Sequence, residues 1–239
     1  AMTQGYSENI ALAIKEHYLP QGGSELPHNP VSICLALADK LDNLVSLFAI
    51  GERPTGSKDP YAIRRQAIGI IRIILEGKIS FPFNLALEKA VQPYAGLVKA
   101  RHKKKLKGFF VDHNRDVARE VLDFVFERLS VILKEQGLTD DVINAVYNEG
   151  VADDFLVLKE RAVILQERLK EKKTQEIMGA YKRAYNIYSK QKEGCDYKNK
   201  KPHKLVFKCD AEKELYRVIK SIKQDSNLLL KEEGYEAAL

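Results

Sequence analysis

Apolar residues recur along most of this 239-residue chain at three- and four-residue spacing, the period of amphipathic helices rather than of strands. "SENIALAIKEHY" (residues 7–18) puts Ile10, Ala13, Ile14 and His17 on one face, and the "QGGSELPHNP" run ends it. "VSICLALADKLDNLVSLFAI" (31–50) is apolar around much of its circumference, which predicts a central buried helix. Asp59-Pro60 then supplies an N-cap and a proline at the first helical position for "YAIRRQAIGIIRIILE" (61–76). Residues 84–107 read as a further helix ending in a basic run. Helical periods continue in 115–137, 139–150, 152–173, 174–190 and 211–233. The expected fold class is all-α, in two helical bundles divided near residue 110, where polarity and charge sign both change.

The turn between the second and third helices, Gly51-Glu-Arg-Pro-Thr-Gly-Ser-Lys58, approaches the spacing of a phosphate-binding P-loop. That motif needs a strand leading into the turn and a lysine before the hydroxyl residue. Here a helix leads in, and Ser57 precedes Lys58. The loop therefore reads as a stiff helix-to-helix turn, still favourable to phosphate through its glycines and the helix start that follows.

Charge sharpens the picture. The net charge is +6, unevenly spread. Residues 1–100 are nearly balanced, "RHKKKLK" (101–107) adds five positive charges, 108–180 are acidic by five, and 181–239 return to +5. Such alternation suits a protein that grips a polyanion on one side, or else solvated helix faces in a lysine-rich chain. No run of about 18 apolar residues predicts a membrane span. The three cysteines, Cys34, Cys195 and Cys209, form no disulfide framework and fit a reducing compartment. With His203 they offer three soft ligands without a CxxC pair, a poor zinc set.

Three groups of residues carry candidate chemistry. Asp39, Asp42, Asn43 and Ser46 form a polar stripe on the apolar second helix, which calls for a metal or for a partner such as Arg64. Arg65, Gly69, Arg72 and Glu76 share a face of the third helix, with Gly69 leaving a gap where a sugar–phosphate backbone could approach. In "GAYKRAYNIYSK", Tyr181, Tyr185 and Tyr188 alternate with Lys182, Arg183 and Asn186, giving either a base-stacking surface or a core face.

"LADKLDNL" is similar to the last motif of HD-superfamily phosphohydrolases, in which Asp39 would be the final metal ligand. The His-Asp dipeptide of that family is missing upstream, so Asp39 marks a vestigial position. The longer block "ALADKLDNLVSLFAIGERPTGSKDPYAIRRQAIGIIRIILE" (36–76) resembles the beta subunit of bacterial heterotetrameric glycyl-tRNA synthetase. "AIKEHYLP" (13–20), "FVFERLSVILKEQGLTDDVINAV" (124–146), "YKRAYNI" (181–187) and "DAEKELY" (210–216) extend the resemblance over the chain.

The resemblance implies a catalytically degenerate HD-like domain in residues 1–110 and a truncated DALR-type anticodon-binding bundle in 111–239. It implies a cytoplasmic tRNA-binding subunit with no catalytic residues, metal or cofactor of its own. Glycine, ATP and Mg2+ would belong to the class II active site of an alpha-subunit partner in an α2β2 heterotetramer. Candidate contacts to tRNA(Gly) are Lys58, Arg64, Arg65 and Arg72, then Lys103, Lys104 and Lys105 in the basic run. Arg128, Lys182, Arg183 and Asn186 are the candidates near the anticodon. The absence of the family's large N-terminal region makes the chain look like a fragment. A metal-dependent HD phosphohydrolase and a purely structural assembly module are the competing readings.

Overall fold

A computed structural model describes residues 1–55, 58–95, 113–147, 153–191 and 207–232, apart from the side chains of 113–116, 191 and 226–232. Among these residues the fold is all-α: nine helices, two short 3-10 turns and no sheet. The helices are α1 (Glu8–Glu16), α2 (Pro30–Ile50), α3 (Ile63–Glu76), α4 (Phe83–Val91) and α5 (His113–Glu135). They continue as α6 (Asp140–Val146), α7 (Phe155–Arg168), α8 (Lys172–Gln191) and α9 (Asp210–Glu232).

The chain divides into two compact units, Ala1–Glu160 and Arg161–Leu239. The division expected near residue 110 falls outside the described residues. Beyond it, α5 packs on α2, α3 and α4 of the first unit. The cause is legible in its side chains: Val117, Val121, Val125, Leu129 and Leu133 are buried at strict four-residue spacing, one continuous ridge that fits against neighbouring helices.

Helix α2 is the axis of the first unit and touches α1, α3, α4 and α5. Asn29 caps its start, its side chain accepting from the Ser32 N–H at 2.9 Å, with Pro30 in the first turn. Gly51 ends it in the left-handed region at φ 96°, where glycine carries no Cβ penalty, and its N–H reaches the Leu47 and Phe48 carbonyls. Ala36, Leu44, Val45 and Ala49 are fully buried, as the apolar circumference requires.

Three sequence expectations shift in detail. On α1, Ile10 and Ile14 are exposed, and the buried positions are Ala13 and Glu16. Helix α3 begins at Ile63, not beside Asp59-Pro60, yet Asp59 still caps it: its carboxylate accepts from the Ile63 N–H at 2.8 Å and the Arg64 N–H at 3.0 Å. Helix α4 stops at Val91 and tightens into a 3-10 turn over Gln92–Tyr94, where Pro93 removes an N–H.

The connector into α4 is held from far along the sequence. Asp154 accepts from the Ser80 hydroxyl at 2.6 Å and the Phe81 N–H at 3.2 Å, while Asp153 accepts from the Asn84 N–H at 2.9 Å. The buried rings of Phe83 and Phe155 meet with centroids 4.6 Å apart.

In the second unit, α8 and α9 carry exposed large apolar side chains, including Ile177, Tyr181, Tyr185, Leu215 and Ile219. No described helix of the chain is long and apolar enough to cross a membrane.

Candidate functional site

The candidate site of the first unit is assembled from the segment after α1, the middle of α2 and the first turns of α3. Its least expected member is Lys40, only 2% exposed. Its ammonium donates to the His17 carbonyl at 3.1 Å. Burial lowers its pKa, an effect opposed by the neighbouring charge of Asp39.

Gly69 explains how Lys40 fits. A Cβ at position 69 would lie 2.8 Å from Lys40 Cε and 3.1 Å from Lys40 Cδ. The gap on α3 is therefore filled by the lysine stem, not left open for a sugar–phosphate backbone. The polar stripe is corrected in the same way: Asp39 is half-buried and Asp42 exposed, so neither is a carboxylate sealed in the core. Asp42 accepts from the Tyr94 hydroxyl at 2.7 Å, a bond that raises the tyrosine pKa. Among the described residues, no three His, Cys, Asp or Glu side chains are grouped to hold a metal. His28 instead donates to the buried Glu16 carboxylate from its ring Nδ1 and from its backbone N–H, both at 3.1 Å.

The predicted cations separate into engaged and available groups. Arg72 is engaged: it forms a fork with Glu76 and donates to the carbonyls of Gly22 (2.5 Å) and Ser24 (3.1 Å). Its hydrogen bonds to Glu76 raise its pKa and lower that of Glu76. Arg128 is engaged as well, its guanidinium 3.5 Å from the Phe124 ring centroid and donating to the Phe124 carbonyl at 2.6 Å.

By contrast, Lys58 and Arg65 are exposed, with no ion pair among the described residues. Lys58 closes the turn through two backbone bonds with Thr55, 2.8 and 3.0 Å long. Arg64 is half-buried beside them. A cleft of about 500 Å³ opens next to Arg65, with Tyr18, Asp39, Lys40 and Gln66 in its walls.

Lys103, Lys104 and Lys105 lie outside the described residues. In the second unit Lys182, Arg183 and Asn186 are exposed along α8. Tyr181, Tyr185 and Tyr188 are exposed too, so the core reading of that face does not hold. The rings of Tyr181 and Tyr185 stack with centroids 6.1 Å apart.

Residues 1–148, which contain the Lys40, Lys58 and Arg65 group but not the residues of α8, match the family model described as glycyl-tRNA synthetase beta subunit. The chain belongs to that family. Glycine–tRNA ligase beta subunits of Cereibacter sphaeroides (strain ATCC 17029 / ATH 2.4.9) and Clostridioides difficile (strain 630) are 34% and 32% identical to it. That of Ruegeria sp. (strain TM1040) is 32% identical. Each match covers 100% of this chain and 32–33% of the relative. The chain thus spans about a third of the length of the curated relatives it matches. Within this chain, Lys40 is the structurally important cation that charge patterning does not identify. Gly69, read from the sequence as a gap for a sugar–phosphate backbone, is the feature that corresponds to Lys40, because the missing Cβ makes room for its stem.

Proposed function

We propose that this segment is a tRNA-binding part of a glycine–tRNA ligase beta subunit. The observation that carries the reading is the family match over residues 1–148, the part that presents Lys58 and Arg65 exposed at its surface. Two cations on a turn and the adjoining helix suit contacts to a nucleic-acid backbone, which fix position without reading bases. Arg64, beside them, completes the group. Lys182, Arg183 and Asn186, interleaved with stacked tyrosines, suit unpaired bases such as those of an anticodon loop.

In this proposal the segment supplies no catalytic residue. Glycine, ATP and Mg2+ are handled by an alpha subunit in an α2β2 assembly in the cytoplasm, and the beta subunit holds tRNA(Gly) for the transfer. Residues from α5 onward, with α8, contribute the anticodon-binding part.

The test is a titration of fluorescently labelled tRNA(Gly), and of a non-glycine tRNA, with the 239-residue chain at several salt concentrations. Affinity should fall steeply as salt rises, because phosphate contacts release counterions. Unchanged affinity in the double variant Lys58→Ala, Arg65→Ala would reject the assigned contacts.

A further inference from the structure

The cleft beside Arg65 has a make-up that backbone gripping alone does not require. It is bounded by Tyr18, Pro20, Gln21 and Gly22 on one side and by Ala62, Arg65 and Gln66 on the other, with Asp39 and Lys40 on the α2 side. Its volume of about 500 Å³ lies in the range of small-ligand sites. Tyr18 is exposed, with its ring against that of His17 at a centroid distance of 3.8 Å. Arg65 has no ion pair among the described residues. An ammonium carries three donors, and among the described residues Lys40 donates one hydrogen bond, to the His17 carbonyl.

We propose that this cleft binds one nucleotide, its phosphate held by Arg65 and its base laid against Tyr18. The charges favour this ligand class. Lys40 and Arg65 against Asp39 leave one surplus positive charge, the complement of a single phosphodiester. An aromatic face beside an arginine is the recurrent platform for an unstacked base. Gln66 and Asp39 add donors and acceptors suited to base edges or to a ribose hydroxyl. The same chemistry is offered by a free mononucleotide or by one residue of an RNA strand. The strand source rests on the tRNA-binding reading above; the free source does not.

Isothermal titration calorimetry of the 239-residue chain at low salt distinguishes them. The probes are AMP, CMP, GMP and UMP, single-stranded RNA tetranucleotides, and inorganic phosphate as reference. At least one nucleotide or tetranucleotide should bind about tenfold or more tightly than phosphate. Tyr18→Ala and Arg65→Ala, both at exposed positions, should each weaken that binding about fivefold or more with the helical circular dichroism unchanged. Tetranucleotides binding where mononucleotides do not identifies the strand as the source, and equal binding identifies the free ligand. If nothing binds better than phosphate, or if both variants bind like the parent, the proposal is overturned. Lys58 lies outside the cleft, so Lys58→Ala alone, followed by the salt dependence of whole-tRNA binding, tests the tRNA reading without touching the cleft, and the two readings fail separately.

Discussion

Arg53 and Glu120, 67 positions apart in sequence, form an ion pair that ties the turn after α2 to helix α5. The same guanidinium donates to the carbonyls of Phe48 and Glu52, each at 2.9 Å, and lies 3.9 Å from the centroid of the Phe48 ring. Phe48 in turn meets Phe124 edge-on, with centroids 5.2 Å apart, and Phe124 carries Arg128. Arg53 is thus the outermost link of a chain that joins two helices through two aromatic rings.

Replacing Arg53 with alanine should lower stability by about 1–3 kcal/mol, since a C-terminal carbonyl of α2 and the Phe48 ring both lose a charged partner. Glu120→Gln should cost less, about 0–1 kcal/mol, because that end of the pair is largely solvated. Urea unfolding of the two variants beside the parent checks the order; equal losses would make the ion pair, not the helix end, the important contact.

The Gly69–Lys40 contact makes a coupling prediction. Glycine to alanine inside a helix ordinarily gains about 1 kcal/mol. Here the added methyl meets the Lys40 stem, so Gly69→Ala should destabilise instead. In a Lys40→Ala background the same change should turn neutral or stabilising. A double-mutant cycle by thermal unfolding should therefore show a non-additive term of about 1 kcal/mol or more. Additivity would mean that Lys40 simply moves aside.

Glu16 gives a pH prediction with a definite sign. Burial acts to raise its pKa, but the His28 backbone N–H, the Ser32 hydroxyl and the His28 ring together outweigh that and hold it below the ordinary value of 4.5. Its contribution to stability is therefore complete above that value and disappears as pH falls through the lower folded-state pKa. Glu16→Gln should be less stable than the parent at pH 7, and the gap should close only in acid below pH 4.5. A gap that stays constant from pH 7 to strong acid would remove the carboxylate charge from the explanation.

The division between engaged and available cations predicts distinct salt slopes. Lys58→Ala and Arg65→Ala should each reduce the slope of log affinity against log salt for tRNA by about one unit or slightly less. Arg72→Ala should leave the slope unchanged while lowering the unfolding midpoint, because its fork secures Gly22, Ser24 and Glu76. A slope change in the Arg72 variant equal to that of Lys58 would make Arg72 a phosphate contact after all.

The helices were legible because period and caps agree, as in α2 with Asn29, Pro30 and Gly51 at its ends. What could not be read was orientation. Helix α2 is apolar on most sides, so its neighbours decide which polar residue is enclosed, and they enclose Lys40 while Asp42 stays outside. Likewise the spacing of Arg65 and Arg72 places them on one face of α3. Only the loop at Gly22 and Ser24, about 50 residues earlier, turns one of them into a strut and leaves the other available. Asp59 was recognised by its capping chemistry, but the intervening turn moved the helix start to Ile63.

The carboxylates of Asp153 and Asp154 bear on how the molecule can be divided. The family-model match ends at residue 148, yet the carboxylates that fix the entry to α4, and the ring that seals Phe83, come from residues 153–155. A protein shortened to residue 148 would leave Phe83 without the Phe155 ring and the Phe81 and Asn84 amides without their carboxylates. The compact first unit runs on to Glu160, so residues 153–155 belong with the α4 entry they hold.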